Sequence, residues 1–256
     1  MPGSLAGKVA LVTGGSRGMG KGAALGLAEA GATVYLTARN ARELEATARE
    51  VTRSGAGKGI AMQCDHRADG DVRAVFRRIE AEQGRLDVLV NNVFPSDLPE
   101  GSFWELPFSH WDDLTIVGLR SHFVAGALAA PLMISARSGL IAFMSSPGAE
   151  RHFSTVPYHA VKAAMDRLAV DMAEELRPHG VAAVSLWPSF TKTESILADQ
   201  HGHDLSGAAT PQFTGRAIAA LAADPNVLEK SGRALPVLEL AREYGFTDVD
   251  GSLPDR

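Results

Sequence analysis

Short apolar runs alternate with amphipathic ones along the whole chain, and this alternation restricts the fold more than any other feature of the sequence. The runs are KVALVT (8–13), TVYLT (33–37), GIAMQC (59–64), LDVLVNN (86–92), GLIAFMSS (139–146), VAAVSLW (181–187) and RALPVLEL (233–240). They are continuous and rich in Val, Leu and Ile, as expected of strands covered on both faces. Between them lie patterns such as ARELEATAREVTRSG (41–55) and DVRAVFRRIEAEQG (71–84), apolar on one side and charged on the other. Gly31, Gly55, Gly84 and Gly180 each follow such a pattern, where helices commonly end in a left-handed residue. Repeated strand–helix–strand units predict an α/β fold, a doubly wound parallel sheet of about seven strands with helices on both faces. No compositional break or Ser/Pro-rich linker divides residues 1–256, so a single domain is expected.

Composition narrows the function classes. A net charge of −5 gives no reason to expect a nucleic-acid or anionic-membrane partner. One cysteine, Cys64, excludes an intramolecular disulfide and fits a reducing compartment. The amino-terminal stretch runs into the first strand pattern without a basic-then-apolar leader, and the longest apolar stretch, 123–134, holds Gly126 and Pro131. That stretch is too short to span a bilayer. A cytoplasmic protein with no membrane or nucleic-acid partner is the expectation.

Two connections exceed what packing requires: 93–108 after the fourth strand and 189–213 after the sixth. In an open parallel sheet both fall at the carboxyl edge, where ligands bind, and long loops there are commonly functional. A third feature of that edge follows the first strand, TGGSRGMGKGAALGLAEAG (13–31). Gly14, Gly18 and Gly20 sit between a strand and a helix, the context of a dinucleotide phosphate loop. Glycines bring the backbone close to a pyrophosphate, and the helix N-terminus offers free N–H groups. The bland alternative is a tight βα turn. After the second strand, where sheets of this kind place a carboxylate to hold NAD, the chain has Ala38 and Arg39, and Arg17 lies in the glycine loop. Two guanidinium groups suit a 2′-phosphate, which favours NADP(H); the alternative is two solvated surface charges.

The remaining signal is VPYHAVKAAMDRLA (156–169). Tyr158 and Lys162 are one helical turn apart and share a face. Such a pair is common by accident, and its surroundings decide its meaning. In order and in register with the strands, these motifs resemble the short-chain dehydrogenase/reductase family over nearly the whole chain. TGGSRGMG resembles the family's cofactor loop, carrying Gly14, Ser16, Arg17, Gly18, Met19 and Gly20; Asp65 resembles its adenine-side aspartate, and Asn91 begins its post-strand motif. Tyr158 and Lys162 resemble its catalytic Tyr-x-x-x-Lys, and Ser145, thirteen residues before the tyrosine, its catalytic serine. Pro188 and Thr193 lie where the family meets the nicotinamide side. SSPGAERHFSTVPYHAVKAA, WDDLTIVGLRSHF and YGFTDVDGSLP look most like one subgroup.

The resemblance implies a Rossmann-type fold and an NADP(H)-dependent oxidoreductase that reduces a ketone or aldehyde to an alcohol. Tyr158 would be the general acid and Lys162 the ammonium that lowers its pKa and holds the nicotinamide ribose, with Ser145 orienting the substrate oxygen. A small-molecule carbonyl or alcohol is the partner expected. Phe103, Trp104 and Phe108 either line a pocket for a bulky apolar substrate, such as a steroid or xenobiotic, or anchor their own loop. The helix at 119–134 is apolar almost all round and must be buried within the domain or against another subunit. The family commonly pairs such helices, so a homodimer or homotetramer is expected.

Some residues depart from the pattern. Phe94 stands for a family glycine, Ser189 follows Pro188 in place of glycine, and Gly118 occupies the position of an asparagine that anchors a proton-relay water. Gly118 either opens its helix so that carbonyls hold the water, or meets a close packing contact. Two other readings follow: an NADP-binding sensor or scaffold with a decayed site, or a dehydratase or epimerase using Glu194 as a second acid–base group. Glu194 as a solvated lid charge is the plainer account. His201 and His203 have two-residue spacing but no neighbours that complete a metal site, so no metal is expected.

Overall fold

The computed structural model describes residues 4–95, 99–198 and 204–255. Seven parallel strands form one sheet in the order β3-β2-β1-β4-β5-β6-β7. They are β1 (Val9–Val12), β2 (Thr33–Ala38), β3 (Lys58–Gln63), β4 (Val88–Asn91), β5 (Gly139–Met144), β6 (Val181–Trp187) and β7 (Ala234–Pro236). Leu11 of β1 stands beside Tyr35 of β2 on one side and Leu89 of β4 on the other. The chain order reverses between these neighbours, and such a switch point opens a crevice at the carboxyl ends of the strands.

Helices cover both faces. On one, α1 (Gly18–Glu29), α2 (Ala41–Ser54), α8 (Pro211–Ala223) and α9 (Val237–Tyr244) bury Leu27, Leu44, Phe213 and Leu240 against Val12, Leu36 and Val184. On the other, α3 (Asp69–Gln83), α5 (Ser121–Ala136) and α6 (Val156–Leu176) bury Ile79, Met133 and Leu176 against Leu11, Leu89 and Ile141. The two remaining helices, α4 (Phe108–Thr115) and the short α7 (Glu194–Ala198), belong to the connections after β4 and β6. Strand residues alternate between the two cores, which is why the strands read as unbroken apolar runs.

Two expectations need correction, and one helix needs comment. The stretch at 233–240 is a strand only to Pro236; α9 begins at Val237 and buries Val237, Leu240 and Ala241, a helical spacing hidden inside an apolar run. Gly31, Gly84 and Gly180 take positive φ as expected. Gly55 instead has φ −161, and a Cβ there would come within 2.7 Å of Ala28 O and Glu29 Cα, so close approach and not handedness requires its glycine. The helical run from Phe108 to Ala136 is 29 residues long and, by length and composition alone, sufficient to cross a membrane, with a mean hydropathy of 1.4. In the domain Ala125, Ala129 and Met133 form its buried stripe, while Phe123 points outward and is exposed.

Candidate active site

Three strand ends build the site. At the end of β1, Thr13 and the glycines turn under the residues that follow β4. Asn92 donates through Nδ2 to Thr13 O at 2.8 Å and Gly14 O at 3.1 Å, and Thr13 Oγ1 accepts from the amides of Asn92 and Val93. A Cβ on Gly20 would lie 2.2 Å from Gly14 O, so the loop folds onto the start of α1 more tightly than any side chain permits. Ser16 O accepts from Thr47, Met19 packs against the core, and Arg17 is exposed. The turn is thus tightly packed backbone leading into a helix N-terminus, where an anion is favoured.

Arg39 and Asp65, far apart in sequence, line one cavity of about 400 Å³ with Met62, Gln63, Asp71, Ala74 and Val75. Asn91 is fully buried and spends its Nδ2 on His122 O at 3.1 Å. His122 in turn donates from Nε2 to Val93 O at 2.8 Å. Burial pushes this imidazole down to about 3, so it is neutral, and it fixes the peptide preceding Phe94.

The catalytic candidates meet at the ends of β5 and α6. Thr155 caps α6 by accepting the Tyr158 amide, and Pro157 occupies its first turn, which lacks an internal acceptor to lose. Tyr158 and Lys162 then share a face, with Lys162 Nζ 5.5 Å from the phenol ring centre. The serine in reach of the phenol is Ser146, whose Oγ lies 2.9 Å from Tyr158 OH and also accepts the Gly148 amide at 3.1 Å. Ser145 is buried and donates to Lys162 O at 3.2 Å, inside the β5–α6 contact. Ser145, the hydroxyl that the thirteen-residue spacing singles out, thus has no hydrogen bond to the phenol, whereas its neighbour Ser146 does.

The electrostatics differ from the simple picture of an ammonium lowering a neighbouring phenol. Burial pushes Tyr158 above its usual range, and the Ser146 hydrogen bond pulls partly back. Lys162 is itself pushed down to about 7 by burial, opposed by the Asp166 carboxylate. Lys162 Nζ donates to Met144 O at 2.9 Å. Asp166 is held by Ser185 and by Trp187, whose Nε1–H donates to it at 3.1 Å. Residues 158, 162 and 166 repeat every fourth position, so the sequence alone carries the signal that Asp166 shares this face.

Aromatic rings enclose the phenol. Phe94 meets it edge-on at 5.8 Å and Phe153 stands 6.0 Å away on another side. Phe94 also lies 4.1 Å from Lys162 Nζ. Phe103, Trp104 and Phe108 are exposed; they neither pack down as loop anchors nor stack on Tyr158. The helix between α4 and α5 widens into a π turn at Ile116–Arg120, as an opened helix at Gly118 would. The room left by Gly118 is nevertheless filled, because a Cβ there would come 2.7 Å from Phe94 Cε2. Both features expected at Gly118, an opened helix and a close packing contact, are therefore present together.

In the second long connection, Pro188 follows β6 and Thr193 caps α7, accepting the Ile196 amide. Glu194 does not approach the tyrosine network; its Oε2 accepts the Gly18 amide at 2.8 Å. His201 and His203 lie outside the described residues, and among those described no group of three potential metal ligands forms.

The family model for short chain dehydrogenases matches residues 8–202. Dehydrogenase/reductase SDR family member 1 of Mus musculus is 45% identical, with 96% of this chain and 84% of the mouse protein aligned. It typifies the subgroup that the 111–123, 145–164 and 244–254 stretches resemble. A short-chain type dehydrogenase/reductase from Mycobacterium marinum superposes with a TM-score of 0.80 at 28% identity, covering 91% of this chain and 94% of that one. Pseudomonas aeruginosa RhlG, solved as an NADP active-site complex, gives 0.82 at 25% identity over 92% and 97%.

Proposed function

The chain belongs to the short-chain dehydrogenase family, and from that premise we propose that it is an NADP(H)-dependent reductase of apolar ketones or aldehydes. The observation that carries this reading is the Tyr158–Ser146 pair, with Lys162 Nζ 5.5 Å from the phenol ring centre and Phe94, from the connection after β4, packed against the same ring. The amide-lined turn from Thr13 to Gly20 fits a pyrophosphate, and the cavity shared by Arg39 and Asp65 fits the adenosine end. Arg17 and Arg39 supply the charge that a 2′-phosphate needs. When bound, NADPH supplies a hydride to the carbonyl carbon.

The protein's own residues handle the oxygen. Tyr158, kept protonated by burial, donates its proton to the carbonyl oxygen as the alcohol forms. Ser146 already accepts the Gly148 amide, so its own O–H is directed toward the phenol or the substrate oxygen. We assign it, in preference to Ser145, the orienting role. Lys162, in its protonated form, stabilises the phenolate left behind, since a neighbouring ammonium favours the charged form. Phe94 and Phe153 flank the phenol with apolar surface, which suits an apolar carbonyl and keeps water from the proton donor. The outward residues of α5, including Phe123, suit a homo-oligomer.

The test pairs three variants in an NADPH-oxidation assay with a panel of ketones and aldehydes. Tyr158→Phe loses roughly 10²–10⁴ in rate with NADPH binding retained. Ser146→Ala loses more than Ser145→Ala. An active Tyr158→Phe refutes the mechanism, and a more damaging Ser145→Ala refutes the choice of serine.

A further inference from the structure

Helix α1 lacks an N-cap of its own. Arg17 at the cap position makes no side-chain hydrogen bond to the first turn, and that turn holds no acidic residue. An acceptor comes instead from a part of the chain 176 residues away: Glu194 Oε2 takes the Gly18 N–H at 2.8 Å. Its neighbour Thr193 lies over the same residue, with Cγ2 3.9 Å from where a Gly18 Cβ would project. The start of the connection after β6 therefore lies across the start of α1. A carboxylate and a phosphate seek the same donors at a helix N-terminus, where exposed amides and the helix dipole both favour an anion.

We propose that Glu194 is an internal competitor for the cofactor's pyrophosphate. It holds the Gly18 amide that the phosphates require, so it sets cofactor affinity and ties cofactor seating to displacement of α7. The inference rests on the reading above, that the glycine loop holds NADP(H). Glu194 is exposed, so the competition is moderate: part of the population must give up one charge-assisted hydrogen bond before the phosphates are seated. On this account the negative charge near the loop belongs to α7 and acts on binding, with no part in proton transfer.

The experiment compares the whole protein with Glu194→Gln and Glu194→Ala by calorimetric titration. Three probes are used: NADPH, inorganic pyrophosphate, and adenosine 2′-monophosphate, which carries the 2′-phosphate and no pyrophosphate. NADPH and pyrophosphate should bind the variants about three- to tenfold more tightly, while the 2′-monophosphate binds all three proteins alike. NADPH affinity that is unchanged or weaker in both variants overturns the proposal. Equal tightening of all three probes also overturns it, since that is a general charge effect. Failure of NADPH to bind any of the proteins overturns the cofactor reading itself, and the proposal with it.

Discussion

Replacing Gly118 with alanine places a methyl carbon 2.7 Å from Phe94 Cε2, 3.0 Å from Cδ2 and 3.4 Å from Val161 Cγ1. Comfortable carbon–carbon separations begin near 3.5 Å, so the ring must retreat by about 0.8 Å. Two neighbours restrict that retreat: Lys162 Nζ, 4.1 Å from its centre, and the Tyr158 ring at 5.8 Å. Overpacking of this kind costs about 1–3 kcal/mol. Alanine recovers about 1 kcal/mol of helix propensity. The net loss is therefore about 1 kcal/mol, or roughly 2–4 °C in melting temperature for a chain of this size. In a Phe94→Ala background the clash is gone and the same substitution should stabilise by about 1 kcal/mol. The assay is a double-mutant cycle of urea or thermal unfolding on the four proteins, with NADPH turnover read alongside. Coupling between the sites should reach about 1–3 kcal/mol, and Gly118→Ala should lower turnover by moving the ring toward the phenol. Gly118→Ala effects that agree in the two backgrounds within about 0.5 kcal/mol would refute the contact as the reason for the glycine.

Lys162 makes stability depend on pH in a defined direction. Its folded pKa is pushed down to about 7 by burial, with Asp166 opposing. An unfolded lysine keeps its proton to about pH 10.4, so between these limits the unfolded state holds the extra proton and unfolding free energy rises with pH, by up to about 1.4 kcal/mol per unit. Urea midpoints at pH 7.5 and 9.5 should therefore show the wild type gaining on Lys162→Met; parallel pH dependences would remove the argument. Arg39 is expected to act on the 2′-phosphate alone: Arg39→Ala should weaken NADPH roughly ten- to a hundredfold and leave NADH unchanged, and equal weakening of both in a titration would exclude that role.

Much of this protein was legible before any coordinates. The parallel sheet followed from unbroken apolar runs, because strands buried on both faces have no polar side to show. At 233–240 a mostly apolar run conceals the change of period, so the sequence reads as strand throughout although α9 begins at Val237. The Tyr158–Lys162 face was readable because helical spacing is local, and Asp166 lies on the same period. The tight glycine turn before α1 was readable because its geometry depends on residues that are close in sequence.

What the sequence determined by itself was the periodic part: seven strands, the helices that cover them, and the two residues one turn apart that stand at the cleft. Only the tertiary structure decided which hydroxyl meets the phenol, what fills the space beside Gly118, and what caps α1. Ser146 reaches Tyr158 because of how the chain turns after β5, Phe94 reaches Gly118 because His122 fixes the peptide before it, and Glu194 reaches Gly18 across the cleft. The physical reason is range. Propensity and periodicity act over a few residues, whereas these contacts join separate loops whose paths are set by the packing of the whole sheet.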